Sequence, residues 1–414
     1  MAKTPSKAQS STGGAVSLSE FIERRRKVFA ALKGAAAVVF SGEGAAPLLG
    51  RWRPDASFFY LTGIENEPGA AVLFNPAADI TDRKITLFLR PLNPEVDRWD
   101  GYREQIGSAL KDRTGFATVM RSSALPAVLT AAARRTKRLA CLHPFTTYPA
   151  PPSADLAVFR SVAERVPGVA IEDMTNLLPS LRAVKSPAEL GMMRQAIAAT
   201  AAGYEAAMPL IRPGANEAHV ARAMERTYVD RGASGVAYNS IVGSGLNSTV
   251  LHYMDNSQPL AKGDLLVIDS GASFNGYAAD VTRTYPVGGT FSAEQREAYE
   301  VVLQAQAAAI KAARTGTKMA EVDAAARHVF DKAGYGDAFI HGIGHQLGIE
   351  VHDVTPDGPL APGMVVTIEP GVYFPDRKLG IRIEDDILIT AKGNQNLTDM
   401  IPKGAREVEE ALRG

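Results

Sequence analysis

The residues of this chain best equipped for chemistry begin with two aspartates on facing runs of alternating polarity. Residues 265–273 (LLVIDSGAS) and 277–285 (YAADVTRTY) flank Asn275-Gly276, a dipeptide that strongly favours the two-residue turn of a β-hairpin. With that turn, Phe274 faces Tyr277, Gly271 faces Asp280 and Asp269 faces Thr282. Side chains alternate along a strand, so Asp269, Gly271 and Asp280 share a face. The two carboxylates then sit diagonally, about 5–8 Å apart at Cβ. Like charges that close repel unless one is protonated or a cation lies between them. Two solvated aspartates on a polar hairpin face are the plainer alternative. The apolar LLVI before Asp269 weighs against it by pointing to a buried strand. Asp255 and Asp264 have no such context and read as surface residues.

Histidines and glutamates follow. His341-Gly342-Ile343-Gly344-His345 sets two imidazoles four residues apart, and its glycines favour extended or loop backbone close to another group. His352 follows in a strand-like run, GIEVHDV. A single histidine is usually satisfied within the structure, but three so close together, beside glycines, point to a site. His219 and His328 fall in helical patterns and read as structural, while His143 stays open. Glu369 ends the apolar run 365–371 (VVTIEPG), and Glu384 lies inside 381–389 (IRIEDDILI). Alternation puts Arg382 and Asp386 on the face of Glu384, with Asp385 opposite. A carboxylate in an apolar strand is costly unless it is paired or binds metal; a Glu384–Arg382 ion pair is the alternative for this segment alone. Taken together, Asp269, Asp280, His345, Glu369 and Glu384 form an oxygen-rich donor set with one imidazole, suited to Mn²⁺, Co²⁺ or Zn²⁺. Two divalent cations would neutralise the four carboxylates, and ions about 3.5–4 Å apart can acidify a shared water.

The elements that must hold these residues are legible in outline. Helical periodicity marks 18–33, 189–208, 216–231, 293–313 and 319–333; strand patterns mark 36–40, 57–61, 70–74, 85–89, 236–244, 345–352, 364–374 and 381–390, besides the hairpin 265–286. Strand pairs with segregated helices predict an α+β fold. Ser186-Pro187-Ala188-Glu189 reads as a capping box opening a long helix. It places a boundary near 178–185, between a smaller mixed α/β domain (18–180) and a second domain (186–414). Two domains also suit 414 residues. Residues 1–17 are polar, lack the apolar core of a secretory signal and read as a flexible tail.

Charge and composition remove whole classes of function. Lys+Arg and Asp+Glu number 45 each, a balance poorly suited to a phosphate backbone, so no nucleic-acid partner is expected. No stretch approaches the ~20 apolar residues of a membrane-spanning helix. The single cysteine, Cys141, excludes an internal disulfide and a multi-cysteine zinc site. It fits a reducing compartment, and a cytoplasmic location is expected.

The five candidate ligands stand, in order, within VIDSGASFNGYAADVTRTYPV, HGIGHQLGIEVHD, TIEPGVYF and GIRIEDDILIT. In these segments the region 186–414 resembles the pita-bread metallopeptidases, the family of methionine aminopeptidase, aminopeptidase P and prolidase. RPDASFFYLTGIENEPGAAVLF and LFLRPLNPEVDRWDGYRE are similar to the N-terminal domain of aminopeptidase P and its prolidase relatives, which methionine aminopeptidases lack. The resemblance implies a pseudo-twofold α+β catalytic domain with two divalent ions, Mn²⁺ foremost, in its central groove. It implies Asp269 and Asp280 on one ion, His345 and Glu369 on the other, with Asp280 and Glu384 bridging. It assigns His252 (in TVLHY), His341 and His352 to substrate and proton handling, and Tyr238 and Arg382 to support of the ligands.

The activity so implied is hydrolysis of the bond between a first residue and a penultimate proline in peptides, by a homo-oligomer, expected as a dimer. Proline selectivity follows from the resemblance; spacing does not show it. The alternative within the family is an Xaa-Pro dipeptidase, which must recognise the free carboxylate of proline and so calls for a cation. Residues 353–364 (DVTPDGPLAPGM) hold no Arg or Lys, where relatives often carry an Arg before the PGM turn, leaving Arg51, Arg53 or Arg377 to supply one. An alternative of another class is a non-catalytic pita-bread binding module. Such proteins, like creatinase-type metal-free hydrolases, have lost ligands, whereas all five positions here hold competent residues.

Overall fold

In the computed structural model, which describes residues 15–43 and 52–413, the chain forms two units, Val16–Arg182 and 183–413. The tail expected at 1–17 lies almost wholly outside the described residues, and Arg51 lies outside them too.

The first unit runs α1 (Leu18–Ala31), β1 (Ala37–Phe40), α2 (Ala56–Thr62), β2 (Ala71–Phe74), β3 (Ile85–Leu89), α3 (Pro94–Asp100), α4 (Ser108–Thr114), β4 (Thr118–Arg121), α5 (Leu125–Thr136), β5 (Arg138–Cys141), α6 (Ala154–Ala163), β6 (Ala170–Asp173) and α7 (Leu177–Ala183). Strands β1 to β4 form one sheet in sequence order, antiparallel except for the β3–β4 pair, and β5 pairs with β6 in parallel. Residues 57–61, expected as a strand, are helical. Asp55 Oδ1 accepts the amides of Ser57 and Phe58 at 2.9 and 3.0 Å, and Gly63 in the left-handed region ends the helix. All of α2 is buried, and an apolar run hidden on every side carries no periodicity to separate helix from strand.

The second unit opens with α8 (Pro187–Ala207). Its capping box closes as the sequence predicts: Glu189 N–H donates to Ser186 Oγ, and Ser186 N–H to Glu189 Oε2. α9 (Glu217–Asp230) packs against α8. Next come β7 (Gly235–Val236), β8 (Ile241–Ser244), β9 (Leu265–Asp269), β10 (Ala272–Phe274), β11 (Tyr277–Ala278) and β12 (Thr282–Pro286). A second helix pair, α10 (Ala293–Ala312) and α11 (Met319–Ala333), precedes β13 (Val365–Ile368), β14 (Gly371–Phe374), β15 (Leu379–Arg382), β16 (Asp385–Thr390), β17 (Gly393–Asn396) and α12 (Ala405–Ala411). Each helix pair thus accompanies its own antiparallel strands.

The hairpin register holds along its length, with Phe274 opposite Tyr277 and Asp269 opposite Thr282. Asn275 and Gly276 both have positive φ, as a tight hairpin turn requires. The ladder nonetheless divides. β10 and β11 join β7, while β9 and β12 join β8. The break falls at Gly271, where a Cβ would lie 1.7 Å from the Ala279 carbonyl oxygen. The backbones approach there more closely than any other residue allows.

Four further expectations change in detail. The 236–244 run divides into β7 and β8, which join different sheets. The 364–374 run divides at Glu369-Pro370, since proline offers no ladder donor. The 381–390 run divides at Ile383-Glu384, where Glu384 N–H donates across to Thr282 O at 3.0 Å. Residues 345–352, expected as a strand, form a loop with isolated bridges from Gln346 to Asp353 and Val366. Gly344, at φ 154°, draws this loop against β13, where a Cβ would meet Thr367 O at 2.0 Å.

Candidate metal centre

The strand breaks deliver acidic side chains to one cavity of about 530 Å³. Asp269 ends β9, Asp280 precedes β12, Glu369 follows β13, and Glu384 sits between β15 and β16. Asp269 is still paired within β9, while the other three stand outside the ladders. Ligand atoms of Asp280, His345 and Glu384 all lie within 4.8 Å of one another. Glu369 Oε1 is 3.3 Å from His345 Nε2, and Asp280 Oδ2 is 3.6 Å from the same nitrogen. Tyr238 OH donates to both Asp269, at 2.5 Å, and Asp280, tying the hairpin carboxylates together. His252, His341 and His352 complete the wall with Tyr238 and Arg382, so all ten residues expected at the site line one cavity.

Arg382 is not the partner of Glu384 that its segment alone allows. Its Nη2 donates to Asp269 Oδ2 at 2.7 Å, Nη1 to Tyr373 OH at 3.0 Å and Nε to Thr282 Oγ1 at 3.2 Å. Thr282 Oγ1 in turn donates to Glu384 Oε2 at 2.6 Å. Tyr373 OH also meets His341 Nε2 at 2.9 Å. Sequence reasoning missed Tyr373 and Thr282. Thr282 could have been found from the register that sets it opposite Asp269; Tyr373, a buried aromatic on an apolar strand, carries no signal apart from its neighbours.

The electrostatics test whether this donor set suits cations. Asp280 and Glu384 are buried. Burial first, then neighbouring carboxylates, push both carboxyls well above the usual range. Burial pushes Glu369 upward too, but the His345 hydrogen bond and charge outweigh it and leave Glu369 low. Burial lowers His345, yet Glu369 brings it back above its ordinary value. His341 and His352 are lowered, chiefly by burial. The His345 and His352 rings stand 4.0 Å apart between centroids. One guanidinium, held on Asp269, does not offset four converging carboxylates. Oxygen donors plus one imidazole are the chemistry of a divalent site, and the residues fit one.

The other candidates are not among the residues that line this cavity. His219 and His328 are exposed on α9 and α11. His143 belongs to the first unit, where its Nε2 accepts the Phe40 amide at 3.1 Å. Arg53 also belongs to that unit. Arg377 is exposed over the Phe374 ring and does not line the cavity. Asp386, expected beside Arg382 and Glu384, lies behind the centre, where its Oδ2 accepts the Asp280 amide at 3.3 Å.

Comparison with known proteins agrees with this geometry. Residues 191–391 match the model of metallopeptidase family M24, and residues 21–140 that of the aminopeptidase P N-terminal domain. The chain is 33% identical to an Xaa-Pro aminopeptidase of Haemophilus influenzae, over 95% of this chain and 97% of that one. It is 39% identical to an Xaa-Pro dipeptidase of Pyrococcus furiosus, over 54% of this chain and 65% of the other. Among solved structures, an Escherichia coli aminopeptidase P variant in complex with substrate superposes with a TM-score of 0.85 at 31% identity, covering 97% of this chain and 99% of that chain.

Proposed function

Because the chain belongs to metallopeptidase family M24 and its second unit has the α+β pita-bread fold, we propose that it removes the first residue from peptides whose second residue is proline. The observation that carries this reading is the convergence of Asp280, His345 and Glu384, flanked by Asp269 and Glu369, in a chain similar to Xaa-Pro aminopeptidases along nearly its whole length. Asp269, Asp280, His345, Glu369 and Glu384 would hold two divalent ions, with Mn²⁺ the first choice and Co²⁺ or Zn²⁺ alternatives. When bound, such ions supply Lewis-acid polarisation of the scissile carbonyl and a nucleophilic water at neutral pH.

The chain's own residues do the rest. Glu369, the low carboxylate beside His345, accepts the proton of the attacking water and passes it to the departing proline nitrogen. His352 and His252 face the cavity and donate to the carbonyl oxygen as it gains charge. His341, hydrogen-bonded to Tyr373, and Arg382, on Asp269, hold substrate and ligands in register. The domain division at 18–180 and 186–414, a homodimeric state and a cytoplasmic location belong to the same reading, supported by the family resemblance.

Support for an aminopeptidase over a dipeptidase comes from two observations. Similarity to the dipeptidase spans about half the chain. Among the described residues lining the cavity, Arg382 is the sole Arg or Lys, and it is engaged by Asp269. The test compares Xaa-Pro-Yaa with Xaa-Pro on Mn²⁺-loaded enzyme, with Asp280→Ala as the metal-site control. We expect turnover of the tripeptide, loss of bound metal and turnover together in the control, and little cleavage of the dipeptide. Cleavage of Xaa-Pro alone would overturn the assignment.

A further inference from the structure

Glu217, the first residue of α9, is fully buried and does not line the cavity. Its Oε1 accepts from the Ser244 amide at 2.7 Å, Ser244 Oγ at 2.8 Å and Asn247 Nδ2 at 3.3 Å. Its Oε2 accepts from Tyr253 OH at 3.0 Å and the Gln258 amide at 2.9 Å. Every one of these donors belongs to the stretch 244–258. Capping of α9 does not account for them, because Asn216 Oδ1 already accepts the Ala218 amide.

The stretch leaves β8, the neighbour of the strand that carries Asp269, and between β8 and β9 it forms no regular element beyond the 3-10 turn Gly245–Thr249. Leu251, His252 and Met254 of this stretch line the cavity. His252 is exposed, and its ring makes no hydrogen bond among the described residues. The backbone beneath it therefore sets its position. That backbone is pinned at one end by Asn256, whose side chain bonds the Val242 amide and the Ser240 carbonyl at 2.8 Å each, and along its length by Glu217.

We infer that Glu217 is a positioning residue that fixes 244–258 so that His252 stands against the bound peptide. The inference rests on the peptidase reading of the site. A carboxylate is purely an acceptor; the amide of Glu217→Gln would turn an N–H₂ group toward donors and release part of the stretch. The metal ligands lie on other segments, so metal content is expected to stay at the wild-type level.

The experiment uses Mn²⁺-loaded full-length protein and has two readouts. In hydrogen exchange, E217Q is expected to speed exchange of 244–258 by about 10-fold or more, leaving the rest of 183–413 unchanged. In a double-mutant cycle on Xaa-Pro-Yaa, E217Q should lower kcat/KM by about 10-fold in the wild-type background and by less than about 3-fold in His252→Ala. Unchanged exchange of the stretch overturns the inference, and so do independent, multiplicative effects in the cycle. If E217Q does not fold, Tyr253→Phe, which removes one donor, takes its place with the same expected directions. If the wild type cleaves no Xaa-Pro-Yaa peptide, the functional reading falls, and the exchange measurement alone decides whether Glu217 holds the loop.

Discussion

Asp385 pairs with two cations, the buried Arg283, whose Nη2 is 2.8 Å from its Oδ1, and the part-exposed Lys403, whose Nζ is 2.5 Å from its Oδ2. Thr398 Oγ1 and Gln306 Nε2 also donate to it. Burial raises this carboxyl, but Arg283 and Lys403 outweigh burial and hold it below the usual carboxylate range. Arg283 itself spans the backbone carbonyls of Glu384 and Ile401, so the ion pair braces the strand that presents Glu384. Removing one partner of a buried pair costs about 3–5 kcal/mol, and Asp385→Asn is expected to lose that much at pH 7. A carboxyl whose folded pKa is depressed stabilises above its unfolded value, about 3.9, and loses that contribution as pH falls through the folded value. The deficit of Asp385→Asn should therefore be full at neutral pH and shrink below about pH 4. Urea midpoints across pH would show it; a deficit that grows toward acid would contradict the ion-pair account.

Elements position the site chiefly where they stop. Asp280, Glu369 and Glu384 stand just outside or between strands, and Asp269 is the last paired residue of β9. Gly271 is the clearest case. It separates the two halves of the hairpin, and Asp269 lies two residues before it. Gly271→Ala must push the Ala279 backbone away, since its Cβ would otherwise sit 1.7 Å from that carbonyl oxygen. The shift would part Asp269 from Asp280. The variant is expected to bind Mn²⁺ at least about 10-fold more weakly and to lose about 1–3 kcal/mol of stability. Titration of metal into the apo variant measures the first. Wild-type affinity would mean that the ladder break does not set the carboxylate spacing.

At the scale of the molecule, the centre lies where two similarly built halves of the second unit meet. The β9–β12 hairpin supplies Asp269 and Asp280; the part that follows α11 supplies His345, Glu369 and Glu384. Metal held there would join both halves and would stabilise them by RT ln(1 + [L]/Kd), about 2.7 kcal/mol at 100 Kd. Protons compete with metal for Asp280 and Glu384, whose carboxyls burial raises, so uptake should weaken as pH falls. In calorimetry, chelation is expected to lower the transition that unfolds 183–413. A transition that chelator leaves unmoved would show that no ion is held there.

How much of this could be read from residues alone differs from segment to segment. The Asn275-Gly276 turn decided the hairpin register, because a two-residue turn admits one pairing of its flanks. The capping box at Ser186 and the period of α10 and α11 are equally local, and so were legible. The α2 segment was not, since a run buried on all sides shows no period, and neither was the loop at 345–352, whose shape depends on Thr367 packing against Gly344. The candidate ligands could be named from the sequence, as acids and a histidine in otherwise apolar or glycine-rich contexts. Their convergence, the diversion of Arg382 from Glu384 to Asp269, and the reach of Tyr373 and Glu217 toward distant segments were decided by tertiary structure. These are contacts between residues tens to more than a hundred positions apart, and local propensity carries no information about which distant partner a side chain will meet.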